Sequence, residues 1–213
     1  IPSQESMFSN ISEFYRSESG YSCLHLCRRY GKLHILKSLQ PLFKQEEFYK
    51  QLLHKEFNIG DQLDHPNIRH TIDWEQQEDL GLCIVMEYVD GISLKEFMIQ
   101  GKLTQPLAYK FIRELCEALH YIHSKQLVHK DLKPENIIIT HNGNNVKLID
   151  FGLSDRDDYD TLKIPAGTKK YLAPEQLLPH ASLDCRTDIY SLGVIIKGSK
   201  IGSNRAEMYA EKS

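Results

Sequence analysis

The chain has 213 residues, of which 41% are apolar and 26% charged, a composition that suits one large domain or two small lobes around a buried core. Its net charge of −3 argues against a nucleic-acid-binding protein, which carries a basic excess. The longest apolar run is too short to span a bilayer, and the polar start predicts no signal peptide. The five cysteines are scattered and form no CxxC pair, so we expect reduced, buried thiols in a cytoplasmic protein, with neither a zinc site nor disulfides.

The first part of the chain predicts strands and one helix. Short apolar runs predict four strands, at Tyr21–Arg28, Lys32–Leu39, Arg69–Glu75 and Leu82–Tyr88. The first two flank Arg29-Tyr30-Gly31, a plausible hairpin turn. The segment Gln45–Leu63 carries its apolar residues near one face of a helix.

The second part predicts more helix. After a connector at Val89-Asp90-Gly91, a helix is predicted over Gln105–Ser124, with Thr104 as its cap and Pro106 in its first turn. Two strands follow, at Ile137–Thr140 and Val146–Ile149, joined through Asn142-Gly143. A small strand-rich lobe followed by a larger helical lobe is therefore expected, with a hinge near Val89.

Three motifs carry the chemistry, and they occur in a fixed order. Residues 128–136 read VHKDLKPEN, residues 150–152 read DFG, and residues 167–175 read GTKKYLAPE. Together they resemble the catalytic loop, the metal-binding DFG motif and the APE segment of eukaryotic-type (Hanks-type) serine/threonine protein kinase catalytic domains. The resemblance runs from about Glu13 to about Lys197.

The resemblance implies an α+β, bilobal, protein-kinase-like fold. A small lobe with an antiparallel sheet and one helix is expected at residues 1–89, where the nucleotide binds. A larger, mainly helical lobe with the catalytic and substrate-binding residues is expected at 90–213. The segment Gly198–Ser213 is too short for the helices that usually complete such a lobe, so we expect this lobe to be incomplete, whether by truncation or by a gap.

Phosphoryl transfer needs positioning and charge neutralisation more than covalent chemistry. The resemblance implies that Asp131 orients or accepts the proton of the attacking hydroxyl and that Lys133 neutralises charge on the migrating phosphoryl group. Thr168 is expected to bridge these two residues. Asn136 and Asp150 are hard oxygen ligands suited to Mg²⁺.

The resemblance also implies a set of nucleotide-binding residues. Lys37, on a strand, is expected to bind the ATP phosphates and to be held by Glu56, 19 residues later, with Glu46 and Glu47 as the competing, solvent-facing carboxylates. The backbones of Glu87 and Val89 are expected to hydrogen-bond the adenine. Ser19, Gly20, Leu24, Ile35 and Ile138 complete the expected nucleotide site.

Several positions depart from the family pattern. Serines occupy all three glycine positions of the expected phosphate loop, at Ser17, Ser19 and Ser22, which predicts weaker phosphate binding. Gly60 lies one helical turn after Glu56, where a large apolar residue is usual, and predicts a lost packing contact. Lys130 replaces an arginine and lacks its planar fork.

The expected function is ATP-dependent phosphorylation of serine or threonine hydroxyls in protein substrates, with no nucleic-acid or membrane partner. The residues leave two alternatives open. One is a pseudokinase scaffold with weak nucleotide binding, favoured by the serine-substituted loop. The other is a small-molecule phosphotransferase of the same fold, disfavoured by the GTKKYLAPE segment. The oligomeric state is left open.

Overall fold

The computed structural model describes residues 7–18, 20–151, 169–178 and 180–199. Two predicted site residues, Ser19 and Thr168, lie outside these ranges, as do Gly152 and most of the segment that joins the DFG and APE motifs.

A five-stranded antiparallel sheet forms the first part of the structure, in the order β1-β2-β3-β5-β4. Its elements are β1 (Ser9–Arg16), β2 (Ser22–Arg29), β3 (Lys32–Leu39), α1 (Glu47–Asp61), β4 (Thr71–Gln77) and β5 (Gly81–Glu87). Tyr30 and Gly31 turn the β2–β3 hairpin with positive φ angles of 51° and 71°.

Helix α1 packs against one face of this sheet. It buries Leu52, Leu53 and Glu56, and the two leucines join Ile35 of β3 and Ile84 of β5 in one apolar cluster. Residues two apart on a strand face the same side, so Lys37 shares the inner face with Ile35. The packing of α1 therefore brings a lysine and a glutamate together beneath the sheet.

The second part of the structure is mainly helical around a three-stranded sheet. Its elements are β6 (Gly91–Ser93), α2 (Leu94–Ile99), α3 (Gln105–Ser124), β7 (Ile137–Thr140), β8 (Val146–Leu148) and α4 (Cys185–Gly198). The sheet order is β6-β7-β8. Helix α3 is capped by the Thr104 hydroxyl, which accepts a hydrogen bond from the Leu107 amide at 3.5 Å.

The segment that follows α1 runs alongside β8. The Leu148 amide donates to the Asn67 carbonyl at 2.7 Å, and the Arg69 amide donates to the Leu148 carbonyl at 3.0 Å. These bonds place the end of β8, and with it Asp150, next to the strand and helix that carry Lys37 and Glu56.

The predicted order, a sheet with one helix followed by a mainly helical part, is confirmed. The strands β1 and β6 and the helix α2 were not predicted, and β6 begins at Gly91, inside the expected connector. The division into lobes at residues 89 and 90 stays a prediction.

The cysteines agree only in part with the expectation of buried thiols. Cys23, Cys27 and Cys83 are buried, and burial raises the pKa of Cys27 to about 11 and that of Cys83 to about 12. Cys116 and Cys185 are exposed, so the prediction was wrong for these two. Within the described ranges, every helix is too short or too polar to cross a membrane.

Candidate active site

A buried ion pair joins β3 to α1. Lys37 Nζ donates to Glu56 Oε1 at 2.6 Å, and each side chain is only 7% exposed. Asp150 Oδ1 lies 3.7 Å from the same nitrogen. Burial disfavours the charged form of Lys37, but the carboxylates of Asp150 and Glu56 outweigh that cost and raise the pKa of Lys37. Glu46 is the residue preceding α1, and Glu47 is exposed in its first turn, so neither competes for the lysine.

The loop before β7 holds a second group of polar side chains. Asn136 Nδ2 donates to the carbonyl of Asp131 at 2.8 Å and to its Oδ2 at 3.0 Å. Lys133 Nζ lies 3.7 Å from the same Oδ2. Asp131 Oδ1 is buried and has no hydrogen-bond partner within the described part of the chain. Burial raises the pKa of Asp131, Lys133 opposes the shift, and the nearby carboxylate of Asp150 adds to it.

Asp188 braces this loop from helix α4. Its Oδ2 accepts from the His129 amide at 2.8 Å and lies 2.7 Å from His123 Nε2, and its Oδ1 accepts from the Lys130 amide at 2.9 Å. The Asp188 side chain is fully buried. Asp188 therefore supports the backbone of the loop that carries Asp131. Lys130 has a positive φ of 67° and is 1% exposed, so its side chain is part of the interior.

His129 and Phe151 are both buried, and their rings pack together. Their ring centroids lie 5.0 Å apart in an edge-to-face arrangement. His129 also bridges the two motifs, because its Nδ1 accepts from the Asp131 amide at 3.2 Å and its Nε2 lies 3.2 Å from the Ile149 carbonyl. Packing of His129 thus fixes Asp131 relative to the residue that precedes Asp150.

The donor set near Asp150 fits a magnesium ion. The Asp150 side chain is 42% exposed and projects from a backbone with a φ of 66°. The Asn136 amide nitrogen is committed to Asp131, which leaves its carbonyl oxygen as the free ligand atom. Asp131 adds a buried acceptor without a partner among the described residues. Carboxylate and amide oxygens are the ligands that Mg²⁺ prefers, and soft sulfur ligands are not part of this group.

The residues expected around the adenine come from both sheets. Leu24 of β2 and Ile35 of β3 face the same apolar cluster as Met86, and Ile138 of β7 is half-buried. The Glu87 amide donates to the His70 carbonyl at 2.9 Å, so that group is already bonded. Val89 makes no hydrogen bond within the described ranges, which leaves both its backbone groups open to a base.

The serine-substituted loop is closed by its own hydrogen bonds. The Gly20 amide donates to the Ser17 hydroxyl at 2.8 Å, and a β-carbon at Gly20 would crowd that side chain. Gln40 Nε2 donates to the carbonyls of Ser17 at 2.7 Å and Ser22 at 3.1 Å. An N–H group that a phosphate would need is therefore committed to a serine. Gln40 was not predicted, because its role depends on contacts that are distant in sequence.

We expect Ser17→Gly to lower the KM for ATP by about three- to tenfold, because it releases the Gly20 N–H to donate to a phosphate oxygen. Steady-state kinetics at saturating protein substrate measure this. Ser12→Gly, on the exposed strand β1, is the matched control and should leave KM unchanged. An unchanged or higher KM for Ser17→Gly would mean that the serine itself contributes to nucleotide binding.

Tyr21 is buried next to helix α1. It is 7% exposed, and its ring centroid lies 5.5 Å from that of Tyr49 on α1. Tyr21 also contributes to the raised pKa of Lys37, after the larger contributions of Asp150 and Glu56.

A buried glutamine links the catalytic loop to the APE segment and was also missed by sequence reasoning. Gln176 Nε2 donates to the Lys130 carbonyl at 2.9 Å, and its Oε1 accepts from the Ala173 amide at 2.9 Å. Glu175, in the APE segment, accepts from the Thr187 hydroxyl at 3.0 Å.

Three potential metal ligands approach one another on the β1–β2 pair. Glu13, Cys23 and His25 each place one ligand atom within 4.8 Å of the others. Arg16, however, donates to both oxygens of Glu13 at 2.8 and 2.7 Å. Both oxygens of Glu13 are thus bonded to the Arg16 guanidinium, and its positive charge disfavours a metal cation at this point. We therefore assign no metal to this group.

Comparison with known proteins places the chain among kinases. A family model described as protein kinase domain matches residues 18–206. The chain is 39% identical over 144 residues to myosin light chain kinase 3 of Homo sapiens, covering 66% of this chain and 17% of that protein. It is 33% identical over 165 residues to serine/threonine-protein kinase PrkC of Bacillus subtilis (strain 168), covering 76% and 25%. It is 40% identical over 144 residues to serine/threonine-protein kinase ppk25 of Schizosaccharomyces pombe, covering 67% and 34%.

Proposed function

The chain belongs to the protein kinase domain family, and from that premise we propose that it transfers the γ-phosphoryl group of ATP to serine and threonine hydroxyls of protein substrates. It spans 17 to 34% of the length of the relatives described above, so the activity of the whole protein is part of this proposal. One observation carries it: Lys37 Nζ lies 2.6 Å from Glu56 Oε1 and 3.7 Å from Oδ1 of Asp150, a candidate metal ligand.

In this proposal Lys37 binds the α- and β-phosphates, and Glu56 directs the lysine toward them. Asn136 and Asp150 hold Mg²⁺, which when bound neutralises charge on the phosphate oxygens. A backbone group of Val89 and the carbonyl of Glu87 bind the adenine. Leu24, Ile35 and Ile138 line the apolar slot around it, and Ser19 and Gly20 lie over the phosphates.

Asp131 orients the acceptor hydroxyl and receives its proton at Oδ1, the buried oxygen that has no partner within the described residues. Lys133, 3.7 Å from the other oxygen of Asp131, neutralises charge on the transferred group. Thr168 bridges Asp131 and Lys133, in keeping with its place in the GTKKYLAPE segment. Burial of Asp131 favours this arrangement, because hydrogen bonds and charges act more strongly away from water.

We further propose that the reaction takes place in the cytoplasm, where unpaired thiols such as the buried Cys23, Cys27 and Cys83 stay reduced. No particular observation favours the scaffold or the small-molecule phosphotransferase over a protein kinase, and the experiment below separates a protein kinase from both.

Phosphosite mapping by mass spectrometry tests the proposal. Purified protein is incubated with Mg·ATP and a mixture of protein substrates, next to an Asp131→Ala variant. We expect new sites on serine and threonine with the wild type and none with the variant. Sites mainly on tyrosine, or the same sites with Asp131→Ala, would contradict the proposed function. A scaffold or a small-molecule phosphotransferase would give no sites with either protein.

A further inference from the structure

A small cavity with both polar and apolar lining lies beside Glu56 and Asp150. It has a volume of about 20 Å³ and is lined by Glu56, Gly60, Arg69, Thr71, Met86 and Asp150, among others. A cavity of this size holds a single water molecule if polar partners line it. The carboxylates of Glu56 and Asp150 and the guanidinium of Arg69 thus line one cavity next to the proposed nucleotide site.

The glycine in helix α1 creates the shape of this cavity. Gly60 is buried against Thr71 of β4, and a β-carbon on Gly60 would collide with the Thr71 hydroxyl. The sequence predicted only a lost contact at this position. The structure instead places a strand hydroxyl against the helix, which leaves the neighbouring space open to the Arg69 side chain.

Only one of the two carboxylate oxygens of Glu56 is hydrogen-bonded within the described ranges. Its Oε1 accepts from Lys37, whereas its Oε2 is buried and has no hydrogen-bond partner within the described ranges. An unsatisfied buried carboxylate oxygen is costly, so a donor at this point stabilises the ionised glutamate.

Arg69 supplies donors and charge on that side. Its Nη2 lies 3.3 Å from Met86 Sδ, and a thioether is a weak acceptor that leaves most guanidinium donors available. Burial lowers the pKa of Arg69, and Asp150, Glu56 and Glu87 oppose this shift, although no carboxylate of the described residues lies within ion-pair distance of the guanidinium. Its backbone is fixed, because the Arg69 amide donates to the Leu148 carbonyl at 3.0 Å.

The charges around Lys37 favour a further cation beside Glu56. Glu56 is only 7% exposed and shares Lys37 with Asp150, whose side chain is 42% exposed and is assigned to Mg²⁺. Arg69 lines the same cavity as Glu56 and adds positive charge there. Rotation of its side chain, or one bridging water molecule in the cavity, would bring its donors to Glu56 Oε2.

We propose that Arg69 is a positioning residue of the nucleotide site, which holds Glu56 from the side opposite Lys37 and so keeps the lysine directed at the phosphates. This inference rests on the proposed function, because it assigns Arg69 a part in binding ATP. Arg69 itself touches neither nucleotide nor substrate; it acts through Glu56.

The test measures the Kd for a fluorescent ATP analogue with Mg²⁺, a readout that does not depend on catalysis. We expect Arg69→Met to raise Kd about tenfold or more, and Arg69→Lys, which keeps the charge, to stay within about threefold of the wild type. Arg28→Met, at an exposed position on β2, is the matched control and should leave Kd unchanged. Circular dichroism checks the fold, and Arg69→Gln replaces Arg69→Met if the latter does not fold.

A double variant separates positioning from a general structural role. In a Glu56→Gln background, Arg69→Met should change Kd less than about twofold, because the group through which Arg69 acts has lost its charge. Wild-type Kd for both Arg69→Met and Arg69→Gln, or the same loss in both backgrounds, would overturn the inference. If the wild type binds nucleotide but forms no phosphorylated product, only the proposed function is contradicted. The Arg69 comparison depends on Kd and not on product, so it can still be made.

Discussion

Replacing Asp150 by asparagine is expected to lower the rate of phosphoryl transfer by at least about 100-fold, the scale of losing one group that stabilises transition-state charge. Asparagine keeps the shape of the side chain but removes the negative charge that would bind Mg²⁺ and that now lies 3.7 Å from Lys37. The fold should survive, because the Asp150 side chain is 42% exposed and is not part of the core. Initial rates at saturating Mg·ATP measure the effect.

The control for this variant is Asp90→Asn, which removes a carboxylate from the exposed connector between β5 and β6. Its rate should equal that of the wild type. An Asp150→Asn protein that keeps more than a few per cent of wild-type activity would contradict the assignment of Asp150 as a metal ligand.

Asp188→Ala is expected to destabilise the protein by about 3–5 kcal/mol and to abolish most activity. The aspartate is fully buried, and its removal leaves the amides of His129 and Lys130 without their acceptors. The loop that carries Asp131 then loses its brace from helix α4. Urea denaturation measures the free energy of unfolding, and the transfer rate is measured under conditions in which the variant is folded.

A second aspartate on the same helix provides the comparison. Asp184 caps α4 by accepting from the Arg186 amide at 2.9 Å, at the surface and away from Asp131. Asp184→Ala should cost about 1 kcal/mol of stability, the usual value of a lost N-cap, and leave the transfer rate unchanged. If Asp188→Ala costs no more than Asp184→Ala, the buried network does not support the loop as described.

Some elements could be predicted to the residue because their signals are local. Helix α3 begins and ends where the sequence indicates, since Thr104, Pro106 and an apolar stripe along the helix all agree. Strand β1 was missed because all eight of its residues are exposed, so it shows no alternation of buried and exposed side chains. Helix α2 was missed because six residues are too few for a clear helical period.

The residues of the candidate site could be predicted where they belong to a recognisable sequence motif. The motifs point to Lys37, Glu56, Asp131 and Asp150, and the structure brings these four into one region, while their roles stay proposals. The residues that were missed act through contacts distant in sequence. No motif marks Gln40, Arg69 or Gln176 in the sequence. Only the fold brings Gln40 to the serine-substituted loop, Arg69 to the cavity beside Glu56, and Gln176 to the catalytic loop.

Transfer of label from ATP marked in its γ-phosphate tests the central claim most directly. Wild-type protein, incubated with Mg²⁺ and a protein substrate, should transfer the label to that substrate as phosphoserine and phosphothreonine. Asp131→Asn should transfer at least about 100-fold less, since the residue that orients the hydroxyl has lost its charge. No transferred label, label mainly in phosphotyrosine, or equal transfer by Asp131→Asn would contradict the account.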